Sequence, residues 1–179
     1  MKKLLVIVLC FFLLCGMKLL LPTEWKIVKE KAIVKYKLAS DSGCFKGIET
    51  KLNFDLAELP KSTIVATVDV NSISSGDDGK NEHLKSEEFF DAAKFPKITF
   101  TSTKIAGNKN QYERFLITGK LKIKKVEKLI SFPFAFNETD SGGVFSGSFE
   151  IFAGDFGVMK KSKSGADKVK IAIVIPVTK

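Results

Sequence analysis

The stretch SISSGDDGKNEHLKSEEFFDAAKFPKITFTS, residues 72–102, joins two predicted β-strands through a long polar insert. Between residues 78 and 95 we expect short helical turns, because Ser86 and the two glutamates after it are typical of a helix N-terminus. Pro96 then ends the helical part and begins the next strand. The apolar residues of the insert need apolar surroundings, so the insert should fold back across one end of the protein.

Outward from this insert, apolar and polar residues alternate along most of the chain, which is the period of a strand with one dry face and one wet face. Residues 64–70 show it clearly, with Ile64, Ala66 and Val68 on one face. About eight such strands are separated by turn-rich pieces such as residues 39–43 and 162–167. The sequence therefore predicts an all-β fold, an eight-stranded antiparallel lipocalin-like barrel with a short helical insert between two strands.

The chain begins with MKKLLVIVLCFFLLCG, in which two lysines precede an apolar run, the order of a secretory signal. We expect residues 1–22 to be a signal peptide or an N-terminal anchor and residues 23–179 to be the barrel domain. Acylation at Cys15 stays open. The predicted location is periplasmic or secreted, with membrane anchoring through the N-terminus as the alternative.

Charge limits the kinds of binding partner that we expect, and cysteine content limits the disulfides. The formal net charge of +9 favours anionic neighbours, including membrane surfaces. Nucleic acid is not expected, because the 16 phenylalanines fall largely on the dry strand faces and the lysines on the wet ones, whereas base-stacking surfaces need both together. Cys44 is the only cysteine outside the leader, so no internal disulfide is predicted. The oligomeric state, a homodimer included, is left open.

Catalytic motifs are missing from the sequence. His83 is the only histidine, and the chain has no phosphate-binding glycine loop, no CxxC and no HExxH. We therefore predict no catalytic residues, no metal and no cofactor. His83 either pins the insert to the barrel rim or lies near a ligand head group. A hydrolase stays open as a rival, with His83 beside Ser86 or Ser72.

Several motifs together resemble the YceI-like family of periplasmic lipid-binding barrels. They run from Trp25 through Asn53-Phe54-Asp55 and the insert to the late Asp155-Phe156-Gly157. The insert contributes His83-Leu84, Phe89-Phe90-Asp91 and Phe95-Pro96, and the later strands contribute Tyr112, Gly119, Leu121, Ile123 and Phe132-Pro133-Phe134. The resemblance implies a barrel that binds a polyisoprenoid or similar amphiphilic lipid in its lumen.

The chain departs from the family pattern at three places. Ala153 replaces the arginine that usually precedes the late Asp-Phe-Gly, and Asn81 stands where an acidic residue often precedes the histidine. Lys122 and Lys125 replace a threonine and a glycine. If the arginine binds a polar end of the ligand in relatives, this chain binds that end with other residues or binds a different ligand.

From periodicity alone, a barrel packed solid by phenylalanine and a barrel that holds a ligand are about equally compatible with the sequence. The resemblance favours the second, a non-catalytic carrier of an isoprenoid or other long-chain lipid in the cell envelope. The alternative is a stress-related envelope protein with a solid core and no ligand. The candidate lipid-binding residues are Tyr36, Phe54, Val68, His83, Phe100, Ile117, Phe134, Phe149 and Ile173, with Lys85 beside His83 at the mouth.

Overall fold

The computed structural model of the protein describes residues 24–39, 41–107 and 114–179. The predicted leader, Cys15 and Tyr112 lie outside the described residues. Among the described residues, no helix has the length and the apolar character needed to cross a membrane.

Strands dominate the described chain, and one α-helix lies in the insert. The helix is α1 (Asp78–Lys85). The strands are β1 (Glu24–Ile27), β2 (Ile33–Leu38), β3 (Asp41–Phe45), β4 (Ile48–Asn53), β5 (Thr63–Asp69), β6 (Ile73–Ser74), β7 (Lys97–Gly107), β8 (Phe115–Ile123), β9 (Val126–Thr139), β10 (Gly142–Phe152) and β11 (Lys168–Thr178).

All the strands belong to one antiparallel sheet that closes on itself. Strand β1 pairs with β4 on one side, where Trp25 lies opposite Leu52, and with β11 on the other, where Lys26 lies opposite Thr178. The first three strands of the barrel are each interrupted once, so each appears as two short strands. The first consists of β1 and β2, the second of β3 and β4, and the third of β5 and β6. Counted in this way the barrel has eight strands, and the predicted fold is confirmed.

The breaks in the first and third strands are single turns of 3-10 helix at Lys29–Lys31 and Val70–Ser72. The second strand breaks at Gly47, whose absent side chain leaves room for its neighbours, since a Cβ there would lie 2.9 Å from the Cβ atoms of both Asp69 and Ser72. The turn predicted at residues 39–43 is wrong in its second half, because β3 already begins at Asp41. The sequence of β3 does not alternate, and its pairing with β2 and β6 holds it extended.

The strands alternate in direction, so the connections collect at two ends of the barrel. We call one the insert end, since it holds residues 75–96, the β8–β9 turn and residues 153–167. The other is the floor end, which holds Trp25, Phe54 and the β9–β10 turn.

The insert begins with α1, whose N-cap is Asp77. The Asp77 carboxylate accepts a hydrogen bond from the Lys80 N–H at 2.7 Å. Ser86 was expected to begin a helix, and this expectation is wrong, because Ser86 is the C-cap of α1. The chain turns back there, and the Ser86 carbonyl accepts hydrogen bonds from the N–H groups of Phe89 and Asp91.

Candidate functional site

A cavity of about 250 Å³ lies inside the barrel between its middle and the insert end. Its wall consists almost entirely of aliphatic and aromatic side chains, and no charged residue belongs to it. The inward faces of the strands supply most of the wall, as expected for side chains that alternate along each strand. The wall includes Val34, Tyr36, Phe45, Ile48, Thr50, Ala66, Val68, Phe100, Ile117, Leu121, Phe132, Phe149, Ile151, Ile171 and Ile173.

A cluster of aromatic rings closes the cavity at the floor end. Its centre is Phe54, which is only 1% exposed and has four phenylalanine rings around it at centroid distances of 5.1–5.9 Å. The Trp25 indole N–H donates a hydrogen bond to the Phe54 carbonyl at 2.9 Å, which fixes the chain where it leaves β4. This end therefore has a solid aromatic floor, formed by Trp25, Phe54, Phe115, Phe134, Phe136 and Phe145.

Two residues of the wall carry a buried hydroxyl group. The Tyr36 hydroxyl and the Thr50 hydroxyl are buried, and neither has a hydrogen-bond partner among the described residues. Burial raises the pKa of the Tyr36 phenol above its usual value, and the charges of Cys44 and Asp41 add to this. The phenol is therefore protonated at neutral pH, and its O–H has no acceptor among the described residues.

Tyr36 occupies its place because its neighbour on β3 is a glycine. A Cβ at Gly43 would lie 2.4 Å from the Tyr36 hydroxyl oxygen, so any larger residue would displace the phenol. From Tyr36 a series of rings leads to the insert, with Phe45 at 5.9 Å from Tyr36 and Phe90 at 5.8 Å from Phe45. The hydroxyl thus lies on the side of the cavity nearer the insert, away from the aromatic floor.

The insert end of the cavity is bounded by two separate segments. The insert contributes Leu84, Phe89 and Phe90 to the wall, and residues 153–159 contribute Val158 and Met159 among others. Lys124, in the β8–β9 turn, joins them, because its Nζ donates to the Phe89 carbonyl at 2.7 Å and to the Gly157 carbonyl at 3.0 Å. We call the region between the two segments the mouth.

The structure places the nine sequence-predicted site residues in three locations. Seven lie on the cavity wall, among them Phe134, which also belongs to the aromatic floor, and two do not. Phe54 belongs to the floor, and His83 is exposed on α1, where its ring lies 4.7 Å from the ring of Phe89. Lys85, predicted beside His83, forms an ion pair with Glu82 at 2.9 Å. The seven wall residues are Tyr36, Val68, Phe100, Ile117, Phe134, Phe149 and Ile173.

Two of the residues that depart from the family pattern, Asn81 and Ala153, are buried near the insert end. Asn81 is buried, and its side-chain oxygen accepts hydrogen bonds from the Ser75 N–H at 2.7 Å and the Ser75 hydroxyl at 2.9 Å, so a neutral amide joins α1 to the first residue after β6. Ala153 is buried and leaves no charge there. Close by, Asp155 lies between Lys128 at 2.8 Å and Lys161 at 2.6 Å. Hydrogen bonds from Lys128 and then Lys161 lower the Asp155 pKa to about 2.

The sequence analysis missed Lys124 and Asp155 as residues that hold the mouth together. Lys124 donates only to backbone carbonyls, a contact that leaves no sequence pattern. The Asp155 cluster joins residues that are far apart in the chain. By contrast, Ser72, a candidate nucleophile of the rival hydrolase, donates its hydroxyl to the Asp69 carbonyl at 2.6 Å. In the described part of the chain, no group of three or more histidine, cysteine, aspartate or glutamate side chains could hold a metal ion.

Comparison with known families matches the chain to the YceI-like domain over residues 25–177. Among curated proteins, the UPF0312 protein of Shewanella denitrificans is 29% identical over 139 residues, which are 74% of this chain and 72% of that protein. Protein YceI of Salmonella newport is 32% identical over 115 residues, 60% of this chain. The match spans 59% of the length of the Salmonella protein.

Solved structures agree on the fold. BcnA of Burkholderia cenocepacia is similar with a TM-score of 0.78 and 26% identity, over 86% of this chain and all of that one. The YceI protein of Campylobacter jejuni gives a TM-score of 0.69 at 22% identity, over 80% of this chain and 87% of that one. A domain from Saccharophagus degradans, described as polyisoprenoid binding and implicated in plant cell wall breakdown, gives 0.63 at 12% identity, over 88% and 98%.

Proposed function

The chain belongs to the YceI-like family, and on that premise we propose that it binds and carries a polyisoprenoid or similar amphiphilic lipid in its barrel lumen, without catalysing a reaction. The Saccharophagus domain of the same fold is described as polyisoprenoid binding, which supports this class of ligand. The observation that carries the proposal is the cavity itself, which has an uncharged wall, a closed floor and a mouth beside the insert.

The shape and chemistry of the cavity suit one slender chain. Its volume of about 250 Å³ is just below the usual range of small-molecule sites, about 300–1,000 Å³, so a bulky ligand does not fit, and a long chain extends out through the mouth. Burial of one CH₂ group stabilises a complex by roughly 0.8 kcal/mol, and about ten buried carbons contribute on the order of 8 kcal/mol before the costs of binding. That is enough for non-covalent carriage.

The orientation of the lipid follows from the two ends of the cavity. The aromatic floor has no open polar group to offer, whereas the Tyr36 hydroxyl lies toward the insert. The apolar tail therefore points to Phe54 and the head group lies near the mouth. Because the wall carries no charge, the buried part of the ligand is neutral, and any phosphate on it stays outside in water.

We propose that the protein carries the lipid in the cell envelope. It is then free in the periplasm, secreted from the cell, or held at a membrane by its N-terminus. The basis is the order of charge and apolar residues in the first 22 residues. Release of a mature domain into the culture medium or the periplasmic fraction supports this location, and recovery of the intact chain from the cytoplasm contradicts it.

Organic extraction of the purified protein, followed by mass spectrometry, tests whether a lipid is carried. A matched pair of substitutions on β5 makes the test specific to the lumen. Ala66 faces the cavity and Val65 faces outward with 37% exposure, so Ala66→Phe fills the cavity whereas Val65→Phe adds the same ring outside. We expect a polyisoprenoid or related amphiphile from the wild type and from V65F, and roughly tenfold less from A66F.

Two results contradict the proposal. Extracts without any amphiphile, together with no binding of an added prenyl alcohol, support the alternative of a ligand-free envelope protein. Equal lipid content in A66F and V65F places the lipid outside the lumen. Thermal unfolding of both variants shows whether they fold, since overpacking in a filled interior typically costs about 1–3 kcal/mol.

A further inference from the structure

Charge is divided unevenly between the two sides of the mouth. On one side lie the end of β8, the β8–β9 turn and the start of β9, residues 122–128, together with residues 157–168, and we call these two segments the basic lip. It holds eight lysines against two carboxylates, Glu127 and Asp167. The insert on the other side, residues 75–96, holds six carboxylates against three lysines. The mouth therefore has a strongly positive side and a negative side.

The positive charge of the basic lip is available to a partner. Four of its lysines are exposed and form no ion pair with any residue that the structure describes. Exposed lysine side chains reach outward into the solvent on flexible stems. The four lysines are Lys122, Lys125, Lys160 and Lys163.

Two exposed apolar side chains lie near the lip. Leu129 directly follows its first segment and is 66% exposed, and Phe152, the last residue of β10, is 42% exposed. Each lies beside a lysine on the neighbouring strand, Leu129 opposite Lys120 and Phe152 opposite Lys168. Apolar groups among lysines on one surface are typical of proteins that rest on a membrane interface.

The lip also adjoins the cavity. Met159 belongs to the cavity wall and is followed at once by the exposed Lys160. A surface that contacts the lip is therefore close to the place where a chain leaves the lumen.

We propose that the basic lip docks on an anionic phospholipid bilayer and brings the mouth to the lipid surface. Lysine attracts anionic phospholipid head groups, and the contributions of several lysines near the surface add up. An acidic protein partner would also match the charge, but the exposed Leu129 and Phe152 favour an interface with an apolar interior. The negative insert is repelled by the same surface, so the molecule docks by the lip and leaves the insert facing the water.

Vesicle sedimentation of the full chain tests this proposal, with vesicles of phosphatidylcholine alone and with about 30% phosphatidylglycerol added. The quantity compared is the preference for the anionic vesicles, because any apolar contribution of residues 1–23 is common to both kinds. The lip variant carries Lys122→Glu, Lys125→Glu, Lys160→Glu and Lys163→Glu. The control variant has the same net charge and carries Lys26→Glu, Lys31→Glu, Lys51→Glu and Lys104→Glu, all at exposed positions outside the lip.

We expect the wild type to prefer anionic vesicles, and the preference to weaken as salt shortens the Debye length from about 10 Å at 0.1 M to about 3 Å at 1 M. The lip variant should lose roughly tenfold or more of the preference, and the control less than about threefold. Leu129→Ser with Phe152→Ser should weaken binding to both kinds of vesicle. No cargo is needed, so the result is independent of whether the lumen holds a lipid.

Equal losses in the lip and control variants would reduce the effect to overall charge and overturn the proposal. A wild type without preference for anionic vesicles overturns it as well, and if that protein binds immobilised polyglutamate through the lip, an acidic protein takes the place of the membrane. Should the fourfold variant unfold, Lys125→Gln with Lys163→Gln is compared with Lys26→Gln with Lys51→Gln. That smaller pair should show the same ranking.

Discussion

The two ends of this barrel are built from the same strands and yet differ in what they enclose. At the floor end, Phe54 leaves β4 and turns into the centre of the barrel, where four rings surround it. At the insert end, the residues of the insert stand at the rim and leave a cavity of about 250 Å³ beneath them. The inward faces of the strands are apolar at both ends.

The difference shows that the strands alone do not decide whether a barrel is solid or hollow. An eight-stranded barrel is wide enough either to be filled by side chains or to hold one small ligand. Here Phe54, from a connection, lies at the centre of five aromatic residues that the strands supply and completes the floor. Lys124 and the Asp155 ion pairs hold the insert end around open space. Dense aromatic packing therefore stabilises one end, and polar contacts between connections shape the other.

Removal of Phe54 is the substitution with the largest expected effect on stability. Phe54→Ala takes out a ring with 1% exposure from the middle of the aromatic floor and should lower the free energy of unfolding by about 3–5 kcal/mol. Phe149→Ala, on the half-buried cavity wall, should lower it by only about 1–2 kcal/mol, because its ring already borders open space. Urea unfolding of both variants measures the difference.

Phe152→Ala serves as the reference for this comparison, since its exposed ring should contribute less than about 0.5 kcal/mol. If Phe54→Ala is no more destabilising than Phe149→Ala, the floor is not the main packed core, and the contrast between the two ends is lost.

Tyr36 gives a smaller effect, on ligand selection at the insert end. Tyr36→Phe keeps the ring of this cavity-wall residue and removes its buried, unpartnered hydroxyl, so it should weaken binding of a prenyl alcohol by about threefold to tenfold, the value of one hydrogen bond. Binding of a hydrocarbon of the same length should not change. Fluorescence competition with both ligands checks this, and an equal change for both would show that the hydroxyl does not contact the head group.

The smallest expected effect is the pH dependence of the insert end. Hydrogen bonds from Lys128 and Lys161 lower the Asp155 pKa to about 2, below its value in the unfolded chain. Asp155 therefore stabilises the folded state above about pH 4, and this contribution disappears as the pH falls toward 2. Asp155→Asn should therefore reduce the free energy of unfolding at pH 7 and not at pH 2. The reduction should be small, because both ion pairs are partly exposed to solvent.

Urea unfolding at several pH values provides the measurement for Asp155. Asp140→Asn, in the β9–β10 turn at the floor end, is the matched control, and it should follow the wild type at every pH. If the free energies of unfolding of the wild type and D155N differ by the same amount at pH 7 and at pH 2, the carboxylate charge has no part in the effect.

Period-two alternation was sufficient to predict the barrel and the inner face of its strands. Tyr36 on β2, Phe100 on β7 and Ile173 on β11 all lie on the cavity wall because their phase within a strand determines their direction. Phe54 lies one residue beyond β4, where strand phase no longer applies, and it turns into the floor. His83 lies on a helix, and its exposed side follows from the packing of α1 against the barrel.

The interior space could not be predicted in the same way. Whether apolar side chains fill a lumen depends on their exact packing, and the breaks at Lys29–Lys31, Gly47 and Val70–Ser72 change the course of three strands without a clear signal in the sequence. The Ser86 prediction shows a related limit. A serine before two glutamates is compatible with a helix start, but the actual helix begins earlier, at a site where Asp77 is available as the cap.

The most direct measurement is a crystal structure of the protein with a prenyl alcohol that carries bromine at the end of its tail. The account predicts an anomalous bromine peak inside the barrel next to the Phe134 and Phe145 rings of the aromatic floor, with the alcohol oxygen at the mouth within hydrogen-bond distance of the Tyr36 hydroxyl. A bromine peak on the outer surface, or a lumen filled by the protein's own side chains, would contradict it.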